Sequence, residues 1–428
     1  MNILMICALD VWSLDQGRGA PTLHRTLEAY GSAGHRVTLV GPDIGANHLY
    51  RPGLRLRPEQ RPAIPNVRYE TFHMPSLKDL PFPIPAALDR VEQKARFAAL
   101  FPVLAARRAI ACLEREPYDV LYAYEVHGAL AARLVQRRFR LPTVARFQGT
   151  VMRPALDDPF LRARRYEEVL ALRIPADLYI MTDDGTQGDE VLARLNPASR
   201  GKVRFWRNGV DLERLRPPSP EERREARAAL GLPDDAFVML TASRLAAWKR
   251  VDRAIRALPA VRAWTPNATL LVLGDGEERP ALEALADRLA VRDAVRFEGA
   301  VRQEEVVRYM WAADLFLALA DLSNVGNPLL EAMATGMCVL TVDAGDTREL
   351  IRDGETGRLL DSPQRSGVAD PFERRLADAI VALAGDAALR ERLGRGARAY
   401  AEERFWTWEQ RLAAEIAEVE RVAGVAKP

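Results

Sequence analysis

Two cations stand five positions apart in the segment SRLAAWKR. Arg244 offers a planar fork and Lys249 a compact point charge, a pair suited to clamping a diphosphate. A solvated loop pair is the competing reading of such residues taken alone. Further on, Asn324, Gly326 and Asn327 precede a helix that Pro328 starts and Gly336 stops. A turn of that composition can bring backbone N–H groups to an anion at a helix N-terminus. Glu331 falls in the first turn of this helix, where a carboxylate can accept two hydroxyls or simply complement the helix dipole. Near the start of the chain, Gly17, Arg18 and Gly19 form another loop ahead of a helix, with room for a phosphate or sugar, although the spacing is not GxGxxG. Gly274-Asp275-Gly276 breaks a strand but lacks the Lys-Ser/Thr step of a P-loop. His127, beside Glu125, can shuttle protons in a cleft or serve structurally. The remaining histidines have no ligand-like spacing and there is no HExxH or Cys/His cluster, so no metal site is expected. Asp157-Asp158, Asp183-Asp184 and Asp234-Asp235 read as turn or helix caps.

These residues need elements to hold them. Asn2–Ala8 has the length and composition of a buried parallel strand, and Pro21 starts a helix bearing Leu23, Leu27 and Tyr30. Residues 43–75 read as loop-rich, with Arg51, Arg55, Arg57, Arg61 and Arg68. From 86 to 115 the pattern is that of a helix pair with an apolar face and a solvated basic face that includes Arg90, Lys94, Arg96, Arg107 and Arg108. Strands follow at 118–124, 143–147, 178–182 and 203–206. A boundary falls at Arg216-Pro217-Pro218-Ser219-Pro220, and the alternation of strand and helix then starts afresh. Further strands are expected at 237–243, 269–273, 295–297, 315–319, 338–342 and 357–360. This predicts an α/β protein of two doubly wound Rossmann-like domains facing each other across a cleft. The expected division is 1–215 and 216–405, with the tail 406–428 packing back on the first domain. Ligands bind outside the carboxyl ends of such strands. Gly19, Gln148, Arg244, Gly274 and Asn324 all lie just past strand ends, which places them in one cleft.

The bulk numbers agree with two cores. The chain has 428 residues, 48% of them apolar and 28% charged, against about 150 residues per domain as a soft prior. A net charge of +2 gives no field that would argue for nucleic acid. Cys7, Cys112 and Cys338 lie far apart in apolar surroundings, as reduced structural thiols of a cytoplasmic protein do. The opening MNILMICALDVW lacks the basic start of a signal peptide, and no run reaches the ~18 apolar residues of a membrane span. Peripheral contact with the inner face of a membrane, through the first domain, stays open.

The second half resembles the retaining glycosyltransferases of group 1, or family 4, which have the two-domain GT-B fold. The resemblance is carried by NGVDLERLRP at 208–217, SRLAAWKR at 243–250, LVLGDGEE at 271–278, VRFEGAV at 295–301, YMWAADLFLALA at 309–320, and most specifically by GNPLLEAMATGMCVLTVDAGDTRELIRDGETGRLL at 326–360. GRGAPTLHRTLEAYGSAGHRVTLV resembles the family's first glycine loop more loosely, and FWTWEQRL its closing helix. The resemblance implies transfer of a hexosyl unit from a nucleoside-diphosphate sugar to a hydroxyl acceptor, with retention and without a metal. Arg244 and Lys249 would then be the catalytic cations that offset charge on the departing diphosphate. Glu331 would hold the ribose. Gly19, Gln148, Gly274, Ser323, Asn324, Gly326 and Asn327 would contact the donor, and Arg18 and His127 the sugar or the acceptor. A UDP-sugar is the expected donor, with GDP- and dTDP-sugars open. No other cofactor is expected.

Two positions depart from the family pattern. Ser323 stands eight residues before Glu331, where the family usually has a glutamate near the donor sugar. Gln148 stands where many members have a histidine. Both can hydrogen-bond a sugar hydroxyl, but Ser323 brings no charge and Gln148 cannot act as acid or base. They leave two alternatives in play: a nucleotide-sugar epimerase of the same architecture, and a non-catalytic nucleotide-sugar-binding protein. The acceptor, whether glycan, lipid-linked or small molecule, is not legible in the sequence.

Overall fold

The computed structural model describes residues 1–9, 22–42, 63–77, 85–363 and 372–424. The glycine loop with Arg18 and Gly19, and most of the arginine-bearing loop at 51–68, lie outside them.

Among the described residues, thirteen strands form two sheets, and every pairing between them is parallel. The first sheet holds β1 (Asn2–Cys7), β2 (Arg36–Pro42), β3 (Val67–Phe72), β4 (Val120–Tyr124), β5 (Thr143–Phe147), β6 (Leu178–Thr182) and β7 (Val203–Trp206), in the order β3-β2-β1-β4-β5-β6-β7. The second holds β8 (Phe237–Ala242), β9 (Ala268–Leu273), β10 (Val295–Gly299), β11 (Leu315–Ala318), β12 (Cys338–Val342) and β13 (Arg358–Leu360), in the order β10-β9-β8-β11-β12-β13. Each order reverses direction once, between β1 and β4 and between β8 and β11. A doubly wound sheet opens its ligand crevice at such a reversal.

The central strands are buried along their whole length, as β4, β5, β6 and β12 show. That favours apolar residues on both faces and explains runs such as VLYAY in β4 and LYIM in β6. Two hydrophobic clusters sandwich each sheet. In the first domain, Leu4, Ile6, Phe101, Leu121 and Phe147 face one side, and Ile3, Met5, Leu27, Tyr30 and Tyr122 the other.

Three expectations are corrected here. The segment read as loop contains β3, an edge strand whose residues are mostly half-exposed, so its pattern carries little hydrophobic signal. The helix pair of 86–115 is one run, Ala86–Ala95 continuing through a π-turn at Arg96–Leu100 into Phe101–Leu113. Arg96 is not on a solvated face. It is 4% exposed and donates to the Met74 carbonyl at 2.7 Å. Among the described residues no helix is long and apolar enough to cross a membrane.

The chain crosses between the sheets twice, at 207–217 and at 405–408, and the two crossings touch. Val210 N donates to the Trp406 carbonyl at 2.9 Å, and a Cβ on Gly209 would lie 2.4 Å from Trp408 Cα. Each crossing ends in a capping box: Ser219 with Glu222 starts the helix Pro220–Ala229, and Thr407 with Gln410 starts the helix Trp408–Ala423. This last helix packs on the first sheet.

Candidate active site

The lysine turn begins where β8 ends. Residues Ala247–Lys249 make one 3-10 turn, Arg250 takes a left-handed conformation (φ 54°), and the helix Val251–Trp264 follows. Asp321 fixes this turn against the end of β11. Its backbone N donates to the Trp248 carbonyl at 2.9 Å, and its carboxylate accepts from Arg253 at 2.7 Å and from Arg250 at 3.3 Å. Lys249 is half-buried, with Nζ 4.0 Å from the centre of the Trp248 ring. Arg244 is exposed and 3.6 Å from Glu277. Gly274 makes this arrangement possible. Its φ is +120°, and a Cβ there would lie 1.9 Å from the Ser243 carbonyl oxygen, directly behind Arg244. Both cations therefore sit on the β8 side of the β8–β11 reversal.

The small-residue turn lies on the other side of that reversal. Asn324 is buried and spends its side chain on the loop: Oδ1 accepts from Ala320 N at 2.8 Å and Nδ2 donates to the Val342 carbonyl at 2.9 Å. Its contribution to a ligand can only be through backbone. Gly326 is the extended N-cap of the helix Asn327–Ala334. The Asn327 side chain accepts from Asn208 at 3.0 Å. Glu331 accepts from Gln303 Nε2 at 2.7 Å, and burial pushes its carboxyl up to about 7, against the pull of Gln303, Arg214 and Arg25.

Ser323 does not present a free hydroxyl. It is buried, its Oγ donates across the cleft to the Asp184 carbonyl at 2.6 Å, and the same oxygen accepts from Val325 N at 3.0 Å. A donor contact from this side chain would have to break a contact between the domains. The neighbourhood is tight backbone packing. A Cβ on Gly185 (φ +73°) would lie 2.4 Å from Ser323 Oγ, and one on Gly345 (φ +55°) would lie 2.0 Å from the Gly185 carbonyl oxygen. Asp346 N donates to that carbonyl at 3.1 Å, and Asp346 Oδ1 accepts from Gln187 at 3.0 Å.

On the first domain, Gln148 follows β5. Its backbone N donates to Glu125 Oε1 at 2.7 Å, and its amide oxygen accepts from Tyr124 OH at 2.9 Å and from Arg146 at 3.2 Å. Glu125 sits at the end of β4 with φ +65°, a strained conformation of the kind that gathers at working sites. Burial raises its carboxyl to about 7. Asp184 follows β6 and faces Lys249 electrostatically. Burial raises the Asp184 carboxyl to about 6 and lowers Lys249 to about 8, each opposed by the other's charge. The sequence reading took Asp184 as a turn or cap residue and named Glu125 only as a cleft neighbour of His127. Both could have been found by the rule that found Gln148, since each stands just past a strand end.

His127 is placed elsewhere, on the helix Glu125–Val135. Its ring centre is 5.4 Å from that of Phe97 and 6.5 Å from that of Phe101, and Nε2 is 3.4 Å from Glu167. Among the described residues no group of His, Cys, Asp and Glu is arranged to hold a metal ion.

Behind Gln148 lies a buried charge network. Arg146 donates to Glu415 Oε1 at 3.0 Å and to Thr26 at 2.7 Å, Tyr122 OH donates to Glu415 at 2.6 Å, and Arg411 donates to Glu415 Oε2 at 3.0 Å. Arg146, Arg411 and Glu415 are all 0% exposed. Nothing in the local sequence pattern around Arg146 announces a partner in the last helix.

Comparison with known proteins decides the family. Residues 222–400 match the family described as glycosyl transferases group 1. A D-inositol 3-phosphate glycosyltransferase of Xylanimonas cellulosilytica is 30% identical over 311 residues, 69% of this chain and 70% of that one. The chain belongs to the group 1 glycosyltransferases. A Streptomyces avermitilis protein of the same description is 31% identical over 300 residues, 67% of this chain but only 62% of its own length. Among solved structures, Anabaena Alr3699/HepE in complex with UDP and glucose superposes with a TM-score of 0.70 at 21% identity, covering 98% of this chain and 99% of that one. The likeness to that structure is one of fold, two parallel-sheet Rossmann-like α/β domains.

Proposed function

We propose that this group 1 glycosyltransferase moves a hexosyl unit from a nucleoside-diphosphate sugar to a hydroxyl acceptor, with retention and without a metal ion. The observation that carries the reading is the position of Lys249 and Arg244 on the loop after β8, at the β8–β11 reversal, with Asp184 at a strand end of the other sheet facing Lys249. The domain carrying residues 216–405 takes the nucleotide. Residues 1–215, with the returning tail from 406, take the acceptor. Arg244 and Lys249 hold the diphosphate, Glu331 accepts from the ribose hydroxyls, and the backbone of 324–327 meets the phosphate or sugar. In the transfer, the acceptor oxygen attacks the anomeric carbon on the face the leaving group occupies. The bond from that carbon to the phosphate oxygen breaks, the new carbon–oxygen bond forms, and the acceptor's proton passes to the departing phosphate. The two cations take up the charge that develops there, without rearrangement.

The donor proposed is a UDP-sugar, with GDP- and dTDP-sugars as the other members of the set to be tried. The Anabaena structure holds UDP, and a related Corynebacterium glutamicum protein is described as a GDP-mannose-dependent mannosyltransferase acting on a phosphatidylinositol mannoside. A lipid-linked acceptor also suits an apolar surface of the first domain. Leu88, Val91, Phe160, Tyr166 and Leu170 are all exposed there, and Lys94 Nζ joins the two helical segments by donating to the Arg164 carbonyl at 3.0 Å.

A thermal-shift screen against UDP, GDP and dTDP tests the reading first, because a ligand that binds only the folded state raises its melting temperature. Stabilisation by one of them, followed by transfer from the matching sugar nucleotide with the anomeric configuration kept, is the expected result. Free epimer formed without an acceptor would replace it.

A further inference from the structure

The place where the family's usual carboxylate would meet the donor sugar is held here by Ser323, whose hydroxyl is spent at both ends. What that hydroxyl does instead is pin the turn that carries Asp184. Among the described residues, the Asp184 side chain is anchored through one oxygen: Oδ1 accepts from Thr186 N at 3.1 Å and from Thr186 Oγ1 at 2.5 Å. Oδ2 lies over Gly149, a residue in the left-handed region (φ +96°) whose missing Cβ would otherwise stand 2.0 Å from that oxygen. The carboxylate thus sits in a space that a glycine keeps open, beside Lys249, one residue-length from Ser323 through the contact between Ser323 Oγ and the Asp184 carbonyl. Asp183 and Glu125 are its acidic neighbours, and Arg207 neutralises Asp183 at 2.9 Å.

We propose that Asp184 supplies the carboxylate that reads the donor sugar, from the first domain rather than the second. Oδ2 accepts one or two sugar hydroxyls while Lys249 holds the adjoining phosphate. This assignment rests on the glycosyl-transfer reading and adds a residue to it. It also divides the donor between the domains: the diphosphate is held by the second alone, and the sugar is held only when the two meet.

The test compares sugar nucleotides with their own diphosphates by calorimetry, using UDP-glucose against UDP and GDP-mannose against GDP. Asp184→Asn keeps the shape and the Thr186 anchor. It should weaken the sugar nucleotide about 10- to 100-fold, the range of a hydrogen bond to a charged group, raise KM for it, and leave the diphosphate within about twofold, a span too small for the loss of such a bond. Ser323→Ala frees the turn without touching the carboxylate, and should weaken the sugar nucleotide by less and the diphosphate not at all. Equal weakening of both ligands by Asp184→Asn, or no change in either variant, would overturn the assignment alone. A wild-type protein that binds none of these four probes, nor dTDP or dTDP-glucose, would overturn the glycosyl-transfer reading and this assignment with it.

Discussion

Lys249 gives the sharpest handle on the proposed chemistry, because its half-buried position links its charge to pH near neutrality. Burial brings its ammonium down to about 8, the opposite direction to that of a lysine gaining a partner. With that value about nine-tenths of the lysine is charged at pH 7 and about one-tenth at pH 9. A diphosphate binds the charged form, so its apparent Kd should rise about tenfold over those two pH units. Two groups oppose that rise weakly: the phosphate's second ionisation, near pH ~6, is already about nine-tenths complete at pH 7, and Glu331, raised to about 7, gains charge across the range. Arg244 stays charged throughout and cannot supply the slope. Lys249→Met removes the ammonium at every pH. Losing a hydrogen bond from a charged group costs about 1.5–3 kcal/mol, or about 10- to 150-fold in Kd at pH 7, and the rise in Kd between pH 7 and 9 should vanish. Calorimetry with the preferred diphosphate at pH 7, 8 and 9, at constant ionic strength, reads both quantities. A wild-type Kd that is flat over this range, or a Lys249→Met protein that keeps the wild-type slope, would refute the placement of Lys249 on the diphosphate.

Three further outcomes can be checked directly. Gly274→Ala should abolish tight nucleotide binding and lower the melting temperature, because a Cβ 1.9 Å from the Ser243 carbonyl must displace the turn that carries Arg244; binding at wild-type strength would show that the close approach is not needed. Glu415→Gln leaves two fully buried guanidinium groups without their shared carboxylate, and should cost about 3–5 kcal/mol in denaturant unfolding; a loss under about 1 kcal/mol, the scale of a surface pair, would mean the network is not what docks the tail. Val91→Glu with Phe160→Glu should reduce co-sedimentation with phosphatidylglycerol vesicles at least several-fold, since both side chains are more than 60% exposed on the basic side of the first domain; absence of vesicle binding by the wild type would remove the membrane surface from the proposal.

Much of the architecture was legible because the central strands are buried on both faces and so write continuous apolar runs, as in Leu178–Thr182 and Cys338–Val342. The edge strand β3 was not, since an edge buries little and VRYETF has no apolar run to show. Arg96 was misplaced for a related reason. Helical periodicity says which face a residue occupies, but not that a guanidinium will reach through the core to a carbonyl. In the site, the strand-end rule located Arg244, Gly274, Gln148 and the Asn324 turn without any contact information. It could not say that the Ser323 and Asn324 side chains would be used up by backbone partners, because one partner of each is 139 and 18 residues away. Asp184 was hidden in plain view, since an Asp-Asp pair before a turn fits the cap pattern and Asp184 does bond to Thr186 as such a residue would.

The buried Arg146–Glu415 pair has a bearing on how the chain is made. The two residues are 269 positions apart, and the second lies in the last helix. On the ribosome, the first sheet can be assembled while the second is still being synthesised, but its innermost arginine then has no counter-ion. A charge in that position favours an open, hydrated first domain until the tail emerges and the returning helix closes over it. The second domain, whose own core needs nothing from the first sheet's interior, can be finished before that point. A nascent chain stopped short of Trp408 should therefore carry a protease-resistant second domain behind a first domain that is still being cut.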